Sequence, residues 1–179
     1  VYRWSGQIHE PADGMGFIGR YSDHVYVATG DSGQGMTHGT IAGILLRDLL
    51  IGRENPWAKL YDPLRSALRG FGEIASENLN VLPKYGRWVT RGDVSGPGEI
   101  PAGEGRVIRR GLKKLAMYRD EQGELHTRSA VCPHLGCIVA WNSTEKTWDC
   151  PCHGSRFGPE GRVLNGPANT DLEEVRKPV

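Results

Sequence analysis

Long apolar runs are missing from this chain of 179 residues. The longest, Ile41-Ala42-Gly43-Ile44-Leu45-Leu46, stops at Arg47 and Asp48 and is far short of the ~20 residues that a membrane-spanning helix needs. No membrane anchor is expected from it. An excess of one charge is missing too: 22 Lys and Arg stand against 21 Asp and Glu, for a formal net charge of +1. With that balance and no interleaving of basic and aromatic residues, neither a nucleic acid nor an anionic membrane is expected as partner. The start, Val1-Tyr2-Arg3-Trp4, lacks an initiator methionine, a basic n-region and an apolar h-region. It reads as a soluble, cytoplasmic piece of a longer polypeptide. Cysteine is scarce, with only four in the chain, and their placement is the most informative feature present.

All four cysteines and two of the six histidines fall in two short segments, Cys132-Pro133-His134-Leu135-Gly136-Cys137 and Cys150-Pro151-Cys152-His153-Gly154-Ser155. Cys132-x-His134, fifteen intervening residues, then Cys150-x-x-His153 make two Cys/His pairs, each suited to clamp one side of a compact metal centre. Cys137 and Cys152 are left over. Structural zinc is one competing reading, but its usual spacings pair Cys-x2–4-Cys with His-x3–5-His, not Cys-His with Cys-His. A plain disulfide pair with incidental histidines is the other, and it leaves both histidine positions unexplained. A 2Fe-2S cluster needs four protein ligands, two per iron. Exchanging two thiolates for two neutral imidazoles removes two negative charges and eases reduction, to about −150 to +300 mV against about −400 mV for all-thiolate ferredoxins.

These motifs resemble the Rieske family over roughly Asp93 to Val179, in the disulfide-bearing subtype of cytochrome bc complexes. The resemblance implies a 2Fe-2S cluster held by Cys132, His134, Cys150 and His153, with Cys137 and Cys152 joined across the loops. It implies that the Ser155 hydroxyl donates to a bridging sulfide. It also implies that Pro167, within Leu164-Asn165-Gly166-Pro167-Ala168, belongs to a third loop covering the cluster. Phe157 departs from the pattern. High-potential members carry a tyrosine there that donates to a ligand sulfur, so a middling potential is expected.

From Gly105 onward short strands alternate with turns. Residues 106–108, 113–119, 125–130, 138–141 and 147–150 read as strands, with Asp120-Glu121-Gln122-Gly123 as a hairpin turn. The fold class expected is mainly β: a small antiparallel Rieske-type sandwich or barrel with both metal loops at one end.

The first half differs. A strand at Val25–Thr29 leads into the glycine-rich turn Gly30-Asp31-Ser32-Gly33-Gln34-Gly35-Met36-Thr37-His38-Gly39 and then a helix from about Thr40 to Ile51, which Gly52 can cap. The stretch from Val1 to Asp62 resembles the last FAD-contacting segment of amino-acid-oxidase-like flavoproteins. That resemblance implies a partial α/β flavoprotein segment with Gly33, Gln34, Gly35, Met36 and Thr37 at FAD in the intact protein. Gly14-x-Gly16-x-x-Gly19 has dinucleotide spacing but follows Pro11-Ala12-Asp13 rather than a strand, so the fragment is not expected to hold FAD unaided.

Three regions are therefore expected: 1–62 as the flavoprotein remnant, 63–92 as a helical connector with an amphipathic helix from Glu73 to Leu82, and 93–179 as the Rieske domain. Trp57, Tyr85 and Trp88 read as packing aromatics. The expected role is one-electron transfer within an FAD-dependent oxidoreductase acting on an amine or amino-acid-like substrate. Its partners are the upstream FAD domain and an external one-electron donor or acceptor; the fragment itself has no catalytic residue. The alternative is a stand-alone Rieske ferredoxin serving an oxygenase or another redox partner. The remaining histidines, at 9, 24, 38 and 126, offer no close pair for an oxygenase iron.

Overall fold

The computed structural model describes residue 2, residues 6–65, residue 79 and residues 81–175. Two compact units divide between Leu79 and Asn80.

In the unit Gly6–Leu79, strands β1 (Phe17–Ser22) and β2 (Val25–Thr29) form an antiparallel hairpin running from the Phe17–Thr29 pair to Ser22–Val25. Helix α1 (Gly35–Leu50) and the one-turn α2 (Ala58–Tyr61) follow. Ile18, Ala42, Leu45 and Tyr61 make its small core. Arg65 is the polar staple of this unit: it bonds both carboxylate oxygens of Asp13 at 2.7 and 2.8 Å and the carbonyl of Gly16 at 3.0 Å, with its guanidinium 4.0 Å above the Phe17 ring. The strand follows Gly16 instead of preceding Gly14, in keeping with rejection of the dinucleotide fingerprint.

Helix α1 begins five residues earlier than the expected start near Thr40. Asp31 closes the preceding turn, its carbonyl accepting from Gln34 N–H at 2.8 Å and from the His38 ring at 3.0 Å. That turn aims residues 35–38 into helical hydrogen bonding, the first from His38 N–H to the Gln34 carbonyl at 3.0 Å. At the other end Gly52 N–H bonds the Leu49 carbonyl at 3.3 Å. The helix expected over 73–82 lies, at 73–78 and 80, outside the described residues; Leu82 opens a 3-10 helix, Leu82–Trp88.

The second unit holds two antiparallel sheets. One has the order β3 (Glu104–Arg110), β4 (Lys113–Arg119), β5 (Leu125–Ser129). The other has the order β6 (Ala140–Asn142), β7 (Thr147–Asp149), β8 (Arg156–Phe157), β9 (Val163–Asn165). Strand β4 is buried on both faces because alternate side chains enter different cores. Leu115 and Met117 pack with Ile100 and Ile108, while Ala116 packs with Val107, Trp148 and Phe157. Contact between the sheets is tight at Gly105, where a Cβ would sit 2.5 Å from the Trp141 ring and 2.8 Å from Trp148. Only glycine fits there. The fold is thus mainly antiparallel β with few helices. Strand β8, at two residues, is too short to show alternation, and β9 lies in the Gly- and Pro-rich stretch that reads as irregular backbone; neither was expected as a strand.

Glu104, at the start of β3, ties this sheet to the next hairpin. It accepts from Trp141 Nε1 at 2.9 Å, Ser143 Oγ at 2.8 Å, Lys146 Nζ at 2.7 Å and Arg106 at 3.1 Å. Burial works against its charged form, but the four donors outweigh burial and lower its pKa to about 2.

Candidate metal centre

Two loops meet beside the larger core. The first links β5 to β6 and the second links β7 to β8. Each closes on itself with the same pair of backbone bonds. In the first, Cys132 N–H reaches the Cys137 carbonyl at 2.8 Å and Gly136 N–H the Cys132 carbonyl at 2.9 Å. In the second, Cys150 N–H reaches the Ser155 carbonyl at 2.8 Å and Gly154 N–H the Cys150 carbonyl at 3.0 Å. Cys132 therefore matches Cys150, Pro133 matches Pro151, and Gly136 matches Gly154. On this shared frame the chemistry is permuted: histidine stands two places after the first cysteine in one loop and three places after it in the other.

Cys137 and Cys152 form a disulfide with Cα atoms 6.4 Å apart, while Cys132 and Cys150 are free and buried. The sulfurs of Cys137, Cys150 and Cys152 lie within 4.8 Å of one another, but two of the three are spent in the disulfide, so they form no three-thiolate zinc site. The free pair is Cys132 with Cys150. The Cys150 thiol draws the Cys132 thiol down to about 6, against the cost of burial and helped by the His134 N–H and the Ser155 hydroxyl. Cys150 is pushed up in turn, by sharing that hydrogen bond and by burial. One negative charge is thus held between the two sulfurs, and a cation beside them would take the second proton's place.

The imidazoles of His134 and His153 stand edge to face with centroids 4.9 Å apart. Burial, and then the neighbouring His134, hold the His153 imidazole below the usual histidine range, neutral with a lone pair free. Nδ1 of His134 is buried without a hydrogen-bond partner. An unpaired buried nitrogen of this kind costs about 1–3 kcal/mol unless something ligates it. Two free buried thiols, two facing imidazoles and an orphaned ring nitrogen fit a 2Fe-2S cluster. Both rings are only half-buried, so their outer edges face solvent.

Ser155 is fully buried, and its Oγ accepts from the Ala168 N–H at 2.9 Å, leaving the hydroxyl proton free to donate toward Cys132. That bond ties the segment containing Pro167 to the second loop. Phe157 is fully buried in the core that contains Cys132 and Cys150. In the first unit, Gly33 lies in the turn, Gln34 caps α1, and Gly35, Met36 and Thr37 form its first turn. A cavity of about 420 Å³ there is lined by Thr29, Gly30, Asp31, Gly35 and His38 among others, whereas Met36 points to solvent, 90% exposed. A donor pair that sequence reasoning missed is Tyr85 with Trp88: Tyr85 Oη donates to the Leu135 carbonyl at 2.7 Å and Trp88 Nε1 to the Gly136 carbonyl at 2.9 Å.

Residues 90–176 match the Rieske [2Fe-2S] domain. The chain is 39% identical over 182 residues to YhfW of Bacillus subtilis (strain 168), a Rieske 2Fe-2S iron-sulfur protein by its name, in an alignment covering 97% of this chain and 35% of that protein. It is 33% identical over 141 residues to the cytochrome b6-f complex iron-sulfur subunit of Prochlorococcus marinus (strain NATL1A), covering 76% of this chain and 71% of the subunit. Among solved structures, the plasma membrane Rieske protein PetC3 from Synechocystis PCC 6803 aligns at 32% identity and TM-score 0.37, over 40% of this chain and 73% of that one. The chain spans about a third of the length of YhfW and 55% of the chloroplast b6-f subunit of rice. With its disulfide and its b6-f-type relatives, the chain belongs to the Rieske 2Fe-2S family of electron-transfer domains.

Proposed function

We propose that the second unit holds its cluster through Cys132 and Cys150 on one side and His134 and His153 on the other, and passes single electrons to or from an external partner. The observation that carries this is the orphaned Nδ1 of His134 beside two free, buried cysteines. The bound cluster supplies a one-electron couple. The protein's part is to bury the two sulfurs, hold the two imidazoles side by side and leave the outer ring edges toward solvent, where a partner can approach.

We further propose that this unit works within a longer FAD-dependent oxidoreductase acting on an amine or amino-acid-like substrate, in the cytoplasm. The first unit then contributes the strand β2, the turn and α1 to the flavin site. Three observations favour this. The chain aligns over 97% of its own length but over only 35% of YhfW. Strand, turn and helix surround a cavity of about 420 Å³ at the start of α1. The unit also leaves Met36, Ile44, Leu50, Ile51 and Trp57 exposed.

The test is to express the complete reading frame and add candidate amines and amino acids without oxygen. Bleaching of a bound flavin followed by the rhombic signal of the reduced cluster is the expected result. A full-length protein that binds no flavin yet cycles between oxidised and reduced cluster overturns the oxidoreductase reading, and leaves a stand-alone carrier.

A further inference from the structure

We propose that Tyr85 and Trp88 are positioning residues of the metal centre, clasping the first ligand loop from outside through its Leu135 and Gly136 carbonyls; this rests on the assignment of the cluster to Cys132, His134, Cys150 and His153. Inside the first loop, the Cys132 and Gly136 N–H groups are satisfied by the loop's own carbonyls. The carbonyls of Leu135 and Gly136 are met instead by two side chains about fifty residues upstream. Leu135 follows His134 directly, so its carbonyl reports and restrains the backbone from which that imidazole projects.

The clasp is built to hold. Tyr85 and Trp88 stand three residues apart in a 3-10 helix, where side chains at i and i+3 eclipse, so both donors face the same side. Tyr85 also packs against the core containing Cys132, Cys137 and Cys150. Immediately after the helix the chain is fastened to the sheet. Arg109 donates to the Val89 carbonyl at 2.8 Å, and the buried Lys114 ammonium donates to the carbonyls of Thr90 at 2.6 Å and Arg91 at 3.2 Å. Asp93 pairs with Val107 in both directions, at 2.7 and 2.8 Å. Gly92 lies so close to β3 that a Cβ there would meet the Arg109 nitrogen and the Val107 carbonyl at 2.8 Å. Burying an ammonium to 3% exposure is costly, and the two carbonyl acceptors that offset the cost tie Thr90 and Arg91 to β4.

The test compares wild type, Tyr85→Phe, Trp88→Phe, the double variant and Ser143→Ala, which removes one hydrogen bond to Glu104 from the β6–β7 turn, outside both ligand loops. The readouts are iron release to a chelator, the EPR g-values of the reduced protein, and the reduction potential. Each lost donor is expected to speed iron release about five-fold and the pair about thirty-fold, with altered g-values, while Ser143→Ala stays within about two-fold of wild type. If the double variant does not fold, the single variants carry the same comparison. A double variant that matches wild type in release, g-values and potential overturns the clasp alone. Equal acceleration by Ser143→Ala also overturns it, since the effect is then general stability. A wild-type protein without the rhombic signal overturns the cluster assignment, and the clasp with it.

Discussion

The two ligand loops share one backbone and differ in what holds them. Both use an N–H at the leading cysteine to reach the carbonyl five residues on, and an N–H at the glycine to reach back. The first is held from upstream, by Tyr85 and Trp88. The second is held from downstream, by the Ser155 hydroxyl and the Ala168 N–H. A common turn therefore supplies the shape, while separate neighbours fix each half, and the disulfide from the last residue of one loop to the third of the other joins them. Shifting histidine by one place on the same turn lets two imidazoles meet without copying the loop.

The comparison breaks first at the ligands. Cys132→Ala and Cys150→Ala should each abolish the visible absorption and EPR signal of the cluster, because neither loop alone offers two thiolates. Survival of the signal in either variant would show that the loops are unequal partners. Cutting the link between them comes next. Cys137→Ser with Cys152→Ser opens a crosslink spanning 15 positions and should cost about 3 kcal/mol in denaturant unfolding. A smaller loss would mean that the separate neighbours already hold the loops together.

Glu104→Gln leaves both loops alone and sets the scale for damage elsewhere. Its folded-state pKa of about 2 lies below the ordinary carboxyl value, so its contribution is fully present above about pH 4.5. It is lost as pH falls toward 2. After allowing for solvent screening at this partly exposed site, the variant should be less stable by about 2 kcal/mol at pH 7. Denaturation curves of variant and wild type should converge between pH 4.5 and 2; a gap that persists at pH 2 would assign the loss to packing.

The smallest effects sharpen the contrast between neighbours. Phe157→Tyr adds a donor near the ligand sulfurs, worth about 1 kcal/mol between redox states, and should raise the potential by about 40 to 60 mV. Ser155→Ala should lower it by a similar amount, because the hydroxyl that favours the more negative, reduced state is gone. Redox titration separates the two, and equal potentials in all three proteins would show that neither position tunes the centre.

Much of this site is legible in residue order because metal chemistry needs particular side chains close together in the chain. Cys132 with His134, and Cys150 with His153, are local pairs whose spacing survives any fold. Of the two sheets that flank them, the first was readable as the runs 113–119 and 125–130 around a polar turn, while β8 of the second, Arg156–Phe157, is only two residues long and was not. Tyr85 and Trp88 read as packing aromatics, and Tyr85 does pack on the larger core, but the bonds both donate to a loop about fifty residues away leave no local pattern in the chain. Helix α1 was expected too short because glycine at 35 and 39 weakens helix propensity, while the Asp31 turn that launches it acts through its backbone carbonyl.

Sequence by itself determined the donor set: four cysteines and two histidines in two loops, a composition suited to sulfur on one side and nitrogen on the other. Tertiary structure supplied the crosslink itself: the folded loops join Cys137 to Cys152, the pair the family resemblance implies, and keep Cys132 and Cys150 free and buried. It decided as well that Tyr85 and Trp88 grip a carbonyl pair about fifty residues away, because a hydrogen bond across such a separation depends on where the sheets bring the chain, not on what the chain spells.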